Sequence, residues 1–157
     1  DRVAVLKDGV LQQCDSPRRM YDHPNNVFVA GFIGSPAMNL SVVDVVDGGV
    51  RFGSVVLPVE REVLAGAGDT VTLGVRPEDL SLTEGEGLTI EVDVVEELGA
   101  DAYVYGHVAG TDPVEDRPFI ARVDGRTPPQ KGQSVTFTAQ PAHVHLFHAT
   151  NGERLGD

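Results

Sequence analysis

The residues most able to do chemistry in this 157-residue chain are one arginine, three late histidines and two acidic pairs. Arg76 stands in Gly74-Val75-Arg76-Pro77-Glu78-Asp79-Leu80. A strand-like run delivers it into a turn that Pro77 stops, and two carboxylates follow within three residues. A guanidinium suits planar, bidentate pairing with a carboxylate. The motif reads either as a strand-end clamp tying one loop to another, or as a specific contact to a partner chain or an anion. His143, His145 and His148 cluster late. On a strand the first two share a face and the third leaves it. A zinc site needs three or four convergent ligands, and no Cys or acidic ligand lies nearby in sequence, so a partly exposed strand is expected and no metal. Glu96-Glu97 would point to opposite faces of a strand, and with Glu78-Asp79 reads as solvated surface charge. A phosphate-binding loop needs G-x-x-x-x-G-K-[ST]. Gly66-Ala67-Gly68 lacks the lysine, the hydroxyl and the following helix, and reads as a turn between strands. No local motif supports a Ser-His-Asp or Cys-His arrangement. No catalytic, cofactor-binding or metal-binding residue is therefore expected in this stretch.

The elements that hold these residues divide at about residue 36. The central stretch is Val27 to Leu40, VFVAGFIGSPAMNL. Phe28 and Phe32, like Val29 and Ile33, are i,i+4 pairs on neighbouring parts of one helix surface. Asn25 or Asn26 can cap the helix start, Gly34 suits a left-handed C-cap, and Pro36 blocks continuation and extends Ser35. Upstream, Lys7-Asp8-Gly9 joins two β-like runs into a hairpin, and Ser16-Pro17 opens a short helix that Pro24 ends. A hairpin alone is unstable in water. It is expected to be mobile, or ordered by packing on a second copy or on the following domain. A chain opening directly before Val3-Ala4-Val5-Leu6 is expected to be a fragment. From Leu40 the texture is short β-rich runs separated by Gly, Asp and Pro. Strands are expected at 41–46, 50–59, 70–75, 89–97, 102–108, 119–123, 134–139 and 144–147, with a turn near 60–64. Eight evenly spaced strands indicate a closed or nearly closed antiparallel barrel.

Composition narrows the partners. The net charge of −12 would repel a nucleic acid, and Arg18-Arg19 is too small a basic patch to override that field. No apolar run approaches a membrane span and no basic, apolar leader precedes the first strand. The single Cys14 cannot form an internal disulfide, which suits a reducing cytoplasm.

Several motifs taken together resemble a known family. They are Asp1-Arg2-Val3-Ala4-Val5-Leu6 with Asp8-Gly9, Ser16-Pro17, Tyr21-x-x-Pro24, and Phe28-Val29-Ala30-Gly31-Phe32-Ile33-Gly34-Ser35-Pro36-x-Met38-Asn39. Gly74-Val75-Arg76-Pro77-Glu78, Val95-Glu96-x-Leu98-Gly99, His145-Leu146-Phe147 and Thr150-x-Gly152-x-Arg154-Leu155 follow in order. The chain is similar to the C-terminal part of the ATPase subunit of carbohydrate-importing ABC transporters of the maltose/trehalose/glycerol-phosphate type. One departure is Arg19, where an acidic residue often completes a capping box.

The resemblance implies a mainly β chain, with an OB-like antiparallel barrel at residues 37–157 preceded by a hairpin and two short helices. Residues 1–36 would be the tail of a nucleotide-binding domain. The barrel would hold two ATPase subunits together and offer a regulatory surface. ATP and Mg would bind the parent through residues upstream of Asp1, with no cofactor in this stretch. The implied partners are a second copy, the parent's nucleotide-binding domain, through it a membrane permease, and a regulatory protein; nucleic acid is not among them. The implied location is the cytoplasmic face of the cell membrane. The family motifs single out Gly34, Ser35, Pro36, Met38, Asn39, Gly74, Arg76, Pro77, Glu78, His145 and Phe147 as candidate interface residues. Two rival readings are a small-oxyanion sensor with Arg76 holding the anion, and a nucleic-acid-binding OB module. For the second, Tyr103, Tyr105, Phe119 and Phe137 are among the aromatics on expected strands, but the charge has the wrong sign.

Overall fold

The structure is a computed structural model that describes residues 1–114 and 117–156. The hairpin is present as β1 (Val3–Lys7) and β2 (Val10–Asp15). Asp8 and Gly9 both take positive φ, at 51° and 79°, the pair a tight hairpin turn requires. Two helices follow, α1 (Pro17–Asp22) and α2 (Val27–Phe32). The Arg19 amide donates to Ser16 Oγ at 3.2 Å, and the Val29 amide to Asn26 Oδ1 at 2.9 Å. Arg19 leans back on Asp15 at 3.4 Å instead of completing a capping box. The hairpin has one covered side. It lies on its own two helices, where Val5, Met20 and Val29 form a small buried core. Leu6, Val10 and Leu11 are left more than half exposed on its outer side.

The rest of the chain is two antiparallel five-stranded sheets. The first has the order β12-β6-β3-β4-β5, made of β3 (Asn39–Val46), β4 (Gly49–Phe52), β5 (Val55–Pro58), β6 (Thr70–Val75) and β12 (His145–His148). The second has the order β10-β9-β8-β11-β7, made of β7 (Leu80–Thr83), β8 (Leu88–Glu97), β9 (Asp101–Val108), β10 (Phe119–Asp124) and β11 (Ser134–Ala139). The architecture is mainly β and OB-like. Three details differ from the expected barrel. The sheets do not close, since each has two edge strands. The long strand expected at 50–59 is a hairpin folded at Gly53-Ser54. Residues 80–83, not among the expected strands, add a strand beside β11. Gly53, at φ 61°, lies against the Gly87 carbonyl with no room for a Cβ.

One apolar core joins the two sheets. Val50, Phe52, Val71, Leu73 and Val75 from the first meet Ile90, Val92, Val104, Ala121 and Phe137 from the second. Asn39 stitches them at the edge. Its Nδ2 donates to the carbonyls of Val75 and Ile120, at 3.1 and 2.8 Å, and its Oδ1 accepts the Ile120 amide at 2.8 Å. This amide acts as a one-residue β bridge, satisfying the Val75 carbonyl at the end of β6 and both backbone groups of Ile120 on the edge strand β10.

Candidate functional site

Arg76 follows β6 directly, and Pro77 begins a single 3₁₀ turn, Pro77–Asp79, that leads into β7. It is therefore the pivot between the two sheets. Its side chain leaves them both and runs under the first 36 residues. Nη1 donates to the Ile33 carbonyl at 2.8 Å and Nη2 to the Tyr21 carbonyl at 2.9 Å. These are carbonyls at the C-terminal ends of α2 and α1, which lack helical partners and carry the negative ends of both helix dipoles. The guanidinium lies 3.8 Å from the centre of the Tyr21 ring, a stacked cation–π contact. Arg76 is only 2% exposed. Burial draws its pKa below the ordinary value, opposed by the nearby Asp79 and Asp22 carboxylates. Gly34 makes room for it, because a Cβ there would stand 2.8 Å from Nη1.

A second guanidinium works the same seam from the C-terminal side. Residues 152–155 form a strap across the joint. The Val27 amide donates to the Gly152 carbonyl at 2.9 Å, the Arg154 amide to Asn25 at 2.9 Å and the Leu155 amide to Leu146 at 2.8 Å. Arg154 Nη1 donates to the Pro24 carbonyl, and both Nη atoms lie 3.1 Å from His145 Nδ1. Desolvation and the Arg154, Arg76 and His23 charges push the His145 pKa down to about 4, against the pull of Asp22. Gln13, only 4% exposed, completes the joint: it accepts the Asn25 amide and donates to the His23 carbonyl. Below the arginines, Phe147, Ala30 and Met38 form a buried cluster with Val27 and Leu40 packed around it.

Most of the residues singled out by motif thus meet at one internal seam. Gly34, Met38, Gly74, Arg76, His145 and Phe147 contribute directly, and Asn39 holds the adjacent sheet edge. Gly74 gives passage to Met38 and Phe147, since its Cβ would come within 2.5 Å of Met38 Sδ. Pro77 is buried, Glu78 and Pro36 are half-buried, and Ser35 is exposed on the linker. Of the two readings of Arg76, the geometry is that of the clamp. Its acceptors are carbonyls rather than a carboxylate. The histidines do not converge: His143 lies in a 3₁₀ turn (Pro141–His143), 3.9 Å from Asp79, and not on a strand with His145. Among the described residues no group of three or more metal-capable side chains forms.

Sequence reasoning missed Gln13 and His107, and named Tyr21 only in a family motif, not as a site residue. Gln13 and Tyr21 act through contacts with residues remote in sequence, which no local pattern announces. His107 on β9 is held between Asp93 at 2.7 Å and Glu91 at 2.8 Å, and these hydrogen bonds raise its pKa. The i,i+2 spacing of the two carboxylates on β8 was the one available signal.

Two family models match the chain: the MalK OB fold domain over residues 34–80 and the TOBE domain over residues 73–147. Their overlap contains Arg76. The chain carries a MalK OB fold domain followed by a TOBE domain. It is 49% identical to the diacetylchitobiose uptake system ATP-binding protein MsiK of Streptomyces coelicolor, over all of this chain and 46% of that protein. It is 39% identical to the sn-glycerol-3-phosphate import ATP-binding protein UgpC of Paracoccus denitrificans, over 99% of this chain and 42% of that one. It is also 39% identical to the alpha-glucoside transport ATP-binding protein AglK of Rhizobium meliloti, over 98% of this chain and 43% of the relative. This OB/TOBE chain therefore spans less than half the length of the relatives it matches.

Proposed function

We propose that this OB/TOBE chain is the regulatory and dimerisation part of the ATP-binding subunit of a sugar importer. Residues 1–36 would be the end of its nucleotide-binding domain and residues 37–157 the pairing domain. The matched OB and TOBE domains support the setting, and the relatives' names supply the cargo class. The observation that carries the mechanism is the arginine-clamped seam. Arg76 and Arg154 tie three carbonyls of the first 36 residues to the two sheets, so the two parts move as one body. A twin contact made by the sheets then fixes the spacing of the segments that precede them. Two catalytic halves that open and close would stay at high effective concentration throughout. ATP and Mg would be held by the preceding domain. The complex would sit at the cytoplasmic face of the membrane beside a permease; among the described residues no helix is long and apolar enough to cross one.

Titration calorimetry tests this against the sensor reading. The scaffold predicts no heat with molybdate, sulfate or phosphate and no saturable ATP binding at micromolar concentration by residues 1–157. Specific heat with an oxyanion would favour the sensor, and tight ATP binding would contradict the scaffold. The geometry of Arg76 weighs against the sensor, because both Nη atoms already hold carbonyls. A cleft of about 180 Å³ near β5 and β12 is lined by Leu57, Val63, Val144, Leu155 and Arg154, and not by Arg76; the Arg154 Nη atoms are already engaged with the Pro24 carbonyl and His145.

A further inference from the structure

His145 opens β12 and faces charged groups from every element around it. Arg154 comes from the strap, Arg76 from the end of β6, and His23 and Asp22 from the end of α1. Its Nδ1 receives both Nη groups of Arg154 at 3.1 Å. An imidazole nitrogen that accepts from a guanidinium carries no proton of its own, so the proton sits on Nε2. Protonating Nδ1 would replace an acceptor by a donor and set a cation against Arg154.

We propose that His145 is an acid-operated latch, whose protonation releases the strap at 152–155 and the helices α1 and α2 from the two sheets while the sheets stay folded. The distribution of buried polar groups makes the release local. Among the described residues the buried polar side chains are Gln13 and Arg76, both in the seam, whereas the core shared by the sheets is apolar throughout. Acid therefore reaches a vulnerable group at the joint and finds none between the sheets. The sign follows from linkage. The closed seam holds His145 near 4, and an open seam returns it to about 6.5. Closure is complete above about pH 6.5 and weakens as pH falls toward 4, with the open fraction rising up to tenfold per pH unit. The full rise from neutral pH, complete only below pH 4, is about 300-fold. This latch is a property of one chain and does not depend on the pairing role.

Hydrogen exchange read by NMR on residues 1–157, between about pH 7 and pH 5 and corrected for intrinsic rates, tests it. The Val27 and Arg154 amides, bonded across the seam, should lose protection by about tenfold per unit below pH 6.5. Core amides such as Val71 and Val104 should not. In His145→Asn, whose amide oxygen can still accept from Arg154 but does not titrate, seam protection should be flat with pH. Equal loss in H145N, or parallel loss in the core amides, would overturn the proposal. If H145N does not fold, the ¹⁵N shift of His145 Nδ1 in the unaltered chain decides. Protonation there should coincide with opening of the Val27 amide; titration near 6.5, or a seam still protected with His145 charged, would overturn it.

Discussion

Replacing Arg76 by Met is expected to lower the folding stability by about 3–4 kcal/mol and to free the first 33 residues from the sheets. A hydrogen bond from a charged donor contributes about 1.5–3 kcal/mol, and Arg76 makes two. Met fills a similar volume, so the loss comes from chemistry rather than from a cavity. Removing a buried ion together with its partner can be neutral. Here the partners remain: the Tyr21 and Ile33 carbonyls stay where they are, at helix ends where carbonyls lack the next turn's amides. Arg76→Lys should recover about half the loss, because one ammonium cannot span two carbonyls as the planar fork does. For a domain of this size the Met variant corresponds to a melting temperature lower by about 10 °C. Chemical denaturation of the three proteins checks it, and an R76M loss below about 1 kcal/mol would contradict the clamp.

The second large effect is expected at Phe147. It is fully buried between α2 and β6, against Ala30 and Met38, and Gly74 has no side chain so that it can lie there. Phe147→Ala removes that filling and leaves a void the surrounding backbone cannot close, at a cost of about 3–5 kcal/mol. Phe32 is the internal control. It stacks on Phe28 at 5.8 Å but is 63% exposed, so Phe32→Ala should cost under about 1 kcal/mol. Comparing the two by thermal melting separates a packed joint from a decorated surface. Equal costs would mean that the seam is not packed as described.

Local signals explain what could be read before the fold was seen. Ser16-Pro17, Asn26, Gly34 and Asp8-Gly9 act within four residues of themselves, and the elements they bound appear where expected. The hairpin at Gly53-Ser54 was not legible because apolar residues run through both arms, and the glycine is required by Gly87, far along the chain. The open sheets follow from which strands become edges, a property of pairing that no single strand carries. The same limit applies at the site. The motif around Arg76 marked the residue as special, but its acceptors lie 43 and 55 residues away. Nothing in Gly74 to Leu80 distinguishes a helix-end carbonyl from an anion. His145 resembled its neighbours His143 and His148 in sequence; only burial between two arginines sets it apart.

Pairing of this chain with its twin through the sheets is read by sedimentation equilibrium. The same run should include Leu6→Lys/Leu11→Lys, since these side chains are 59% and 56% exposed on the hairpin and could make an accidental contact. Both proteins are predicted to form dimers with the same dissociation constant. A strict monomer up to about 1 mM, equivalent to pairing weaker than about 4 kcal/mol, would contradict the scaffold. So would a dimer that disappears in the lysine variant, because the contact would then belong to the exposed hairpin and not to the sheets.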